Sequence, residues 1–233
     1  YFGTYRVYRT TDGADNWTPI SDDLTDGDQG ANFGTITTLA VAPSSPSVLY
    51  AGTDDGNVWV YRPLGGQWAN VSAGLPQRWV TRVAVDPTDH QTVYVTFSGL
   101  RWNEPISHVY RSDNGGLSWS DVSGNLPEAP VNDLLAHPDT PGLLFAATDV
   151  GVYRTSDGSV WTPVAEGLPN VVVNDLAWSD ARQELLAGTY GRSVFAVPVV
   201  DPTPVPDQVD LTGLGRLRPA FPNPSSGGTT LAW

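Results

Sequence analysis

The chain contains no cysteine, which excludes disulfides, thiolate catalysis and cysteine-ligated zinc within its 233 residues. The redox compartment stays open, because exported bacterial proteins often lack cysteine as well. Lysine is also absent: all 12 basic residues are arginine, they face 25 acidic ones, and the net charge is −13. That balance argues against a nucleic-acid partner, since neutralising phosphates needs a basic face. An acidic, lysine-free surface stays soluble at high salt, and GC-rich codon usage enriches the same Arg, Gly, Pro and Asp; both origins stay open. No window approaches the ~18 consecutive apolar residues that a membrane span needs. Tyr1 already sits in a strand-like pattern, so further chain and any signal peptide are expected upstream.

What the chain does hold is turn chemistry: 24 Gly, 20 Pro and 9 Trp, with 40% hydrophobic residues to build a core. A repeat organises these residues. Trp17, Trp68, Trp119 and Trp161 are spaced by 51, 51 and 42 residues. Each follows a short aromatic strand, at 5–9, 58–62, 108–111 and 152–154. The last three precede a Leu-Pro turn at Leu75-Pro76, Leu126-Pro127 and Leu168-Pro169, whereas the first leads into an acidic loop over 22–33. Two apolar runs follow each unit, first at 36–43, 80–87, 131–138 and 172–180, then at 48–53, 93–97, 143–148 and 185–189.

Each unit therefore reads as four short strands separated by turns. Apolar runs without strict alternation indicate strands buried on both faces, as in sheets stacked against neighbouring sheets. Four-stranded units of about 40–50 residues are the signature of β-propeller blades. With strands lettered A to D from innermost to outermost, the expected fold is all-β. It holds C and D of one blade, three whole blades, and A to C of another, ending near Val197. Such an arc is a partial ring, so upstream blades of the same polypeptide are its expected partners.

At the C–D hairpins the residues resemble a known family. The stretch 10–17, Thr-Thr-Asp-Gly-Ala-Asp-Asn-Trp, is similar to the Asp-box, Ser/Thr-x-Asp-x-Gly-x-Thr-Trp, with Ala14 at the Gly position. Residues 112–119 give a second copy with Asn114 at the Asp position, and 155–161 a third that is one residue short. The second repeat keeps only Gly65-Gly66 and Trp68. The resemblance covers roughly residues 1–197 and is shared by sialidases, xyloglucanase-type glycoside hydrolases, sortilin-like receptor domains and a photosystem II assembly factor. It implies that Asp12, Trp17, Asn114, Trp119, Asp157 and Trp161 are structural: a short acceptor for turn amides, glycine at positive φ, and an indole plugging the hairpin.

From Pro198 the composition changes. Residues 198–213 form a Pro-rich linker, extended and semi-rigid. Residues 214–233 include Phe221-Pro222-Asn223-Pro224, which is similar to the opening of C-terminal sorting domains of the type IX secretion system and of Ig-like surface modules. That resemblance implies export, with the protein released or held at the outer-membrane surface, and an incomplete β-sandwich here.

Ligands are expected at the mouth, where D–A and B–C loops meet. The B–C insertion at 98–105 puts Arg101, Trp102 and Glu104 on one loop, a combination suited to a sugar's apolar face and hydroxyl rim, although Trp102 could equally pack the loop down. The last B–C turn offers Tyr190 and Arg192. On the A strands the aligned residues Thr38, Arg82, Asp133 and Asp175 would ring a central channel, as a ligand site or as a satisfied ion-pair girdle. The acidic loop residues Asp22, Asp23, Asp26 and Asp28 offer oxygen ligands for calcium, but without regular spacing they read as a solvated loop. No other cofactor is expected.

Glycoside hydrolysis needs two carboxyl groups flanking the scissile bond. The turns holding Asp54 and Asp149 resemble the turn that carries a catalytic Asp in xyloglucanase-type enzymes, yet noncatalytic blades carry the same turn. His90, His108 and His137 read as surface residues. The leading expectation is a secreted or cell-surface propeller module for protein or carbohydrate interaction, noncatalytic in this segment. Part of a glycoside hydrolase and a structural element of a surface assembly are the alternatives.

Overall fold

The computed structural model describes residues 1–27, 33–99, 108–164, 168 and 170–199, together with the strand pairs at 221–222 and 229–230. Its described residues hold strands, turns and loops and no helix. The chain divides into two units, Tyr1–Val199 and Val200–Trp233.

Three successive four-stranded antiparallel sheets dominate the first unit, and each runs through its strands in chain order. One comprises β4 (Ile36–Val41), β5 (Leu49–Thr53), β6 (Val58–Arg62) and β7 (Gln67–Asn70). The next has β8 (Val80–Val85), β9 (Val93–Phe97), β10 (Val109–Ser112) and β11 (Ser120–Asp121), and the third β12 (Val131–Ala136), β13 (Leu144–Thr148), β14 (Gly151–Thr155) and β15 (Thr162–Pro163). Before them lies a three-stranded sheet of β1 (Phe2–Gly3), β2 (Val7–Arg9) and β3 (Thr18–Pro19), and after them β16 (Val173–Ser179), β17 (Glu184–Thr189) and β18 (Ser193–Pro198). The first sheet thus carries one strand more than the C and D strands expected for it. Two residues, Phe2 and Gly3, pair with Tyr8 and Val7.

The first strands of successive sheets pack side by side, β4 on β8, β8 on β12 and β12 on β16, so they line the inside of the arc. The second strands β5, β9 and β13 are buried at all five positions. Their sequences, Leu-Tyr-Ala-Gly-Thr, Val-Tyr-Val-Thr-Phe and Leu-Phe-Ala-Ala-Thr, are apolar on both faces because each face meets a neighbouring sheet. This is the radial stacking of a β-propeller. The core consequently runs between sheets: Tyr50, Val58 and Val60 of one sheet share a cluster with Val80, Val83, Val95 and Phe97 of the next.

The repeated tryptophans tie sheet to sheet. Trp68 Nε1 donates to the Ile20 carbonyl at 2.9 Å, Trp119 to Val71 at 2.7 Å, and Trp161 to Val122 at 2.9 Å. In each case the acceptor directly follows the outermost strand of the preceding sheet. Trp161 is 2% exposed, whereas Trp17, with no earlier sheet among the described residues, is 42% exposed and meets Phe2 edge-on. Within the hairpins, Asp12 accepts from the Asn16 amide and side chain and from Thr10. Asn114 accepts from the Ser118 amide and Ser112, and Asp157 from the Ser159 and Val160 amides and Thr155. These donors favour the ionised form and hold Asp12 down at about 2. Gly13, Gly115, Gly116 and Gly158 supply the left-handed backbone that such turns need, but Ala14 adopts φ of 80° without glycine's freedom.

Two of the three histidines are not surface residues. His137 is 8% exposed, its Nδ1 accepts from the Asp139 and Thr140 amides, and its ring packs 4.2 Å from that of Trp178. His108 is also buried, and burial holds its pKa below the usual value. Histidine's mixed polarity makes either location possible on composition alone, and the stacking of sheets decided it. In the second unit the described backbone is one antiparallel pair, β19 (Phe221–Pro222) with β20 (Thr229–Thr230).

Candidate functional site

One end of the arc gathers the starts of the first strands and the turns that leave the second strands. Backbone bonds fix this meeting: Asp54 N–H donates to Thr35, Ser98 to Trp79 and Tyr190 to Val172. Each of β4, β8, β12 and β16 is bulged there, between Ile36 and Thr38, Val80 and Arg82, Val131 and Asp133, and Val173 and Asp175. A bulge adds a residue and re-aims its side chain. The extra residue reaches the next sheet: Thr37 donates to the Val80 carbonyl, Thr81 to Val131, and Asn132 to Val173.

The next residue along makes a second stitch. Thr38 Oγ1 accepts from Val83 N–H at 3.2 Å, and Asp133 Oδ2 from Leu176 N–H at 2.7 Å. Arg82 has no acceptor to offer, so the middle junction differs. Its guanidinium forks onto Asp133 and reaches Asp175 at 3.3 Å, while Leu134 N–H turns to Asp133 Oδ1 at 2.7 Å. The structure thus brings Arg82, Asp133 and Asp175 together as an ion-paired group, with Thr38 engaged separately. Burial pushes the Asp133 carboxyl above its ordinary value, opposed first by Arg82 and then by the Leu176 amide.

The carboxylates suggested for acid chemistry have other occupations. Asp54 is 1% exposed, and its two oxygens accept from the Phe33 and Thr35 amides and the Thr35 hydroxyl. It therefore holds the acidic loop against the first strand. Asp149 accepts from the Asn132 side chain at 2.9 Å. Tyr190, 76% exposed, and Arg192 stand open on the β17–β18 turn. In the acidic loop Asp23 accepts from Thr25, while Asp26 gives its N–H to Asp55 and accepts from Asn57. Asp22 is exposed. Among the described residues no group of three or more His, Asp or Glu side chains could hold a metal ion. Arg101, Trp102, Glu104 and Asp28 lie outside the described residues.

A second concavity lies on the outer rim between the first two sheets, and the sequence analysis did not single it out. Its volume is about 660 Å³, within the roughly 300–1,000 Å³ range of small-molecule sites, and it is lined by Trp59, Trp68, Arg6, Gln67, Asp22 and Asp23 among others. Trp59 Nε1 donates to the Leu24 carbonyl at 2.7 Å, so both indoles are pinned by their N–H groups. A signal for this cleft existed in the repeat: the position held by Trp59 carries Tyr in the other sheets, at Tyr8, Tyr110 and Tyr153.

No protein-family model matches the chain. Over 148 residues it is 30% identical to a xyloglucanase of Hypocrea jecorina, which covers 56% of this chain and 18% of that protein. It is 28% identical over 128 residues to vacuolar protein sorting/targeting protein 10 of Arthroderma gypseum, covering 50% of this chain and 8% of that one. Among solved structures, the GH74 xyloglucanase from Xanthomonas campestris superposes with a TM-score of 0.59 at 18% identity, covering 74% of this chain and 30% of the other. The chain spans 8–23% of the length of the curated relatives it matches. With the sheet stacking described above, these likenesses define the fold of the chain as a β-propeller. Among the described residues no helix is long and apolar enough to cross a membrane.

Proposed function

We propose that the chain is part of an extracellular β-propeller module that holds carbohydrate without cutting it, within a larger glycoside-hydrolase-like protein. One observation carries the noncatalytic part: among the described residues, Asp54 and Asp149, offered by the sequence for acid chemistry, and Asp133 already serve as hydrogen-bond acceptors or ion-pair partners. Asp54 is saturated by backbone amides, Asp149 is bonded to Asn132, and Asp133 is shared between Arg82 and Leu176 N–H. A glycosidase needs one free acid and one free base or nucleophile, held roughly 5–10 Å apart. Likeness to two xyloglucanases supports carbohydrate as the partner. It also favours a second reading, in which this segment supplies one wall of a hydrolase whose acids lie on another part of the protein.

In this reading the hairpins at 10–17, 112–119 and 155–161 are Asp-boxes, with Asp12, Asn114 and Asp157 as turn acceptors. Residues 214–233 open a sorting or Ig-like domain that directs the protein to the cell exterior, and the antiparallel pairing of Phe221–Pro222 with Thr229–Thr230 agrees with a β-module. The test is incubation of the protein with a panel of soluble polysaccharides, following retention on the polymer and newly released reducing ends. Retention without release is expected. Release would establish the hydrolase reading, and neither would remove carbohydrate as the partner.

A further inference from the structure

The geometry points to the rim cleft between the first two sheets as a binding site for a neutral oligosaccharide, separate from the mouth; this rests on the carbohydrate reading above. Three features of the cleft carry it. First, Trp59 and Trp68 are half-buried at its wall, and each is fixed by an N–H bond to the chain segment that follows β3. A pinned indole contributes a flat apolar surface without the entropic cost of ordering it, and such a surface matches the C–H face of a pyranose.

Second, Arg6 lines the same cleft with its Nε buried and without a hydrogen-bond partner. Arg82, Arg111 and Arg62, by contrast, have acceptors within the chain: Asp133, Asp113 and the Gly115 carbonyl. Arg6 forms no ion pair among the described residues, although Asp22 and Asp23 line the same cleft. With no acceptor for it among the described residues, the guanidinium can donate to a ligand's oxygens through those of its nitrogens that face the cleft.

Third, the cleft offers donors and acceptors together: Arg6 donates, Asp22 accepts and Gln67 does both. Vicinal hydroxyls of a neutral sugar are donor and acceptor at once, so they can use this mixed rim. An anionic ligand would meet the two aspartates as well as the single arginine, which makes neutral sugars the fitting class. The residues that line the cleft lie just before β2, at the end of β3 and in the segment that follows it, on β6, and at the start of β7.

The experiment uses the full chain, with xyloglucan heptasaccharide and cellohexaose as probes. Binding is followed by quenching of tryptophan fluorescence and by isothermal titration, alongside the polysaccharide retention assay. Arg6→Met and Asp22→Asn remove polar groups without touching the sheet-to-sheet tryptophan bonds, and circular dichroism checks that both fold. Should Arg6→Met fail to fold, Asp22→Asn and Gln67→Ala carry the test. Oligosaccharide affinity is expected to fall at least tenfold in Arg6→Met and several-fold in Asp22→Asn. If the unaltered chain binds sugar and the folded variants bind it within twofold as well, the rim cleft is overturned while the carbohydrate reading stands. If the unaltered chain binds neither probe and is retained on no polysaccharide, both are overturned.

Discussion

Removing the same residue type from equivalent places in the repeat should have very unequal costs. A tryptophan side chain buries roughly 200 Å², and at about 25 cal/mol per Å² full burial is worth about 5 kcal/mol. Trp161, 2% exposed, realises nearly all of that, packed with Tyr94, Val109, Val131 and Leu134, and adds the 2.9 Å bond to the Val122 carbonyl. Trp161→Ala should therefore cost about 4–5 kcal/mol, at the upper end of aromatic truncations. Trp17 is 42% exposed and reaches no preceding sheet among the described residues, so the same area argument gives about 2–3 kcal/mol for Trp17→Ala. The assay is urea unfolding of both variants and the parent, followed by near-ultraviolet circular dichroism, with the midpoints compared at equal slope. A gap of about 2 kcal/mol is expected. Equal losses at the two positions would refute the reasoning, because they would show that the tryptophan acts within its own hairpin rather than between sheets.

Ala14 adopts φ of 80°, where a side chain costs about 1–2 kcal/mol that glycine avoids, partly offset by glycine's greater freedom when unfolded; Ala14→Gly should raise stability by about 1 kcal/mol. Asp12 is held down at about 2 from an ordinary value of 3.8, so its contribution is complete above pH 4 or so and is lost as pH falls through about 2. Asp12→Asn, which reproduces the Asn114 turn, should remove that part of the acid sensitivity; an unchanged melting profile between pH 4 and pH 2 would show that the hairpin is not its source. Asp54→Ala should lower the unfolding free energy by about 2–3 kcal/mol, since it removes a buried charged acceptor of the Phe33 and Thr35 amides. The same variant should leave polysaccharide retention per folded molecule unchanged, and lost retention at full folding would place Asp54 in a ligand site.

Much of the fold was legible because strand boundaries are local. In the repeat, β6 and β9 occupy 58–62 and 93–97 as their apolar runs and turn residues indicated, and the fully buried β5, β9 and β13 were foreshadowed by runs without alternation. The candidate site was less legible. The aligned residues Arg82, Asp133 and Asp175 could be placed on one ring position by counting along the repeat, but not their pairing, which depends on Arg82 being unable to accept the bond that Thr38 and Asp133 accept elsewhere.

The sequence by itself determined the period, the strand order within each sheet and the turn residues, because these follow from short-range chemistry repeated along one chain. Only the tertiary structure decided what each side chain meets in the next sheet. Trp161 finds a carbonyl 39 residues earlier, Asn132 one 41 residues later, Asp54 the amides of a loop, and Arg6 a cleft with an open bond. Those partners are set by the lateral stacking of sheets, and stacking brings together residues whose spacing along the chain carries no record of their contact.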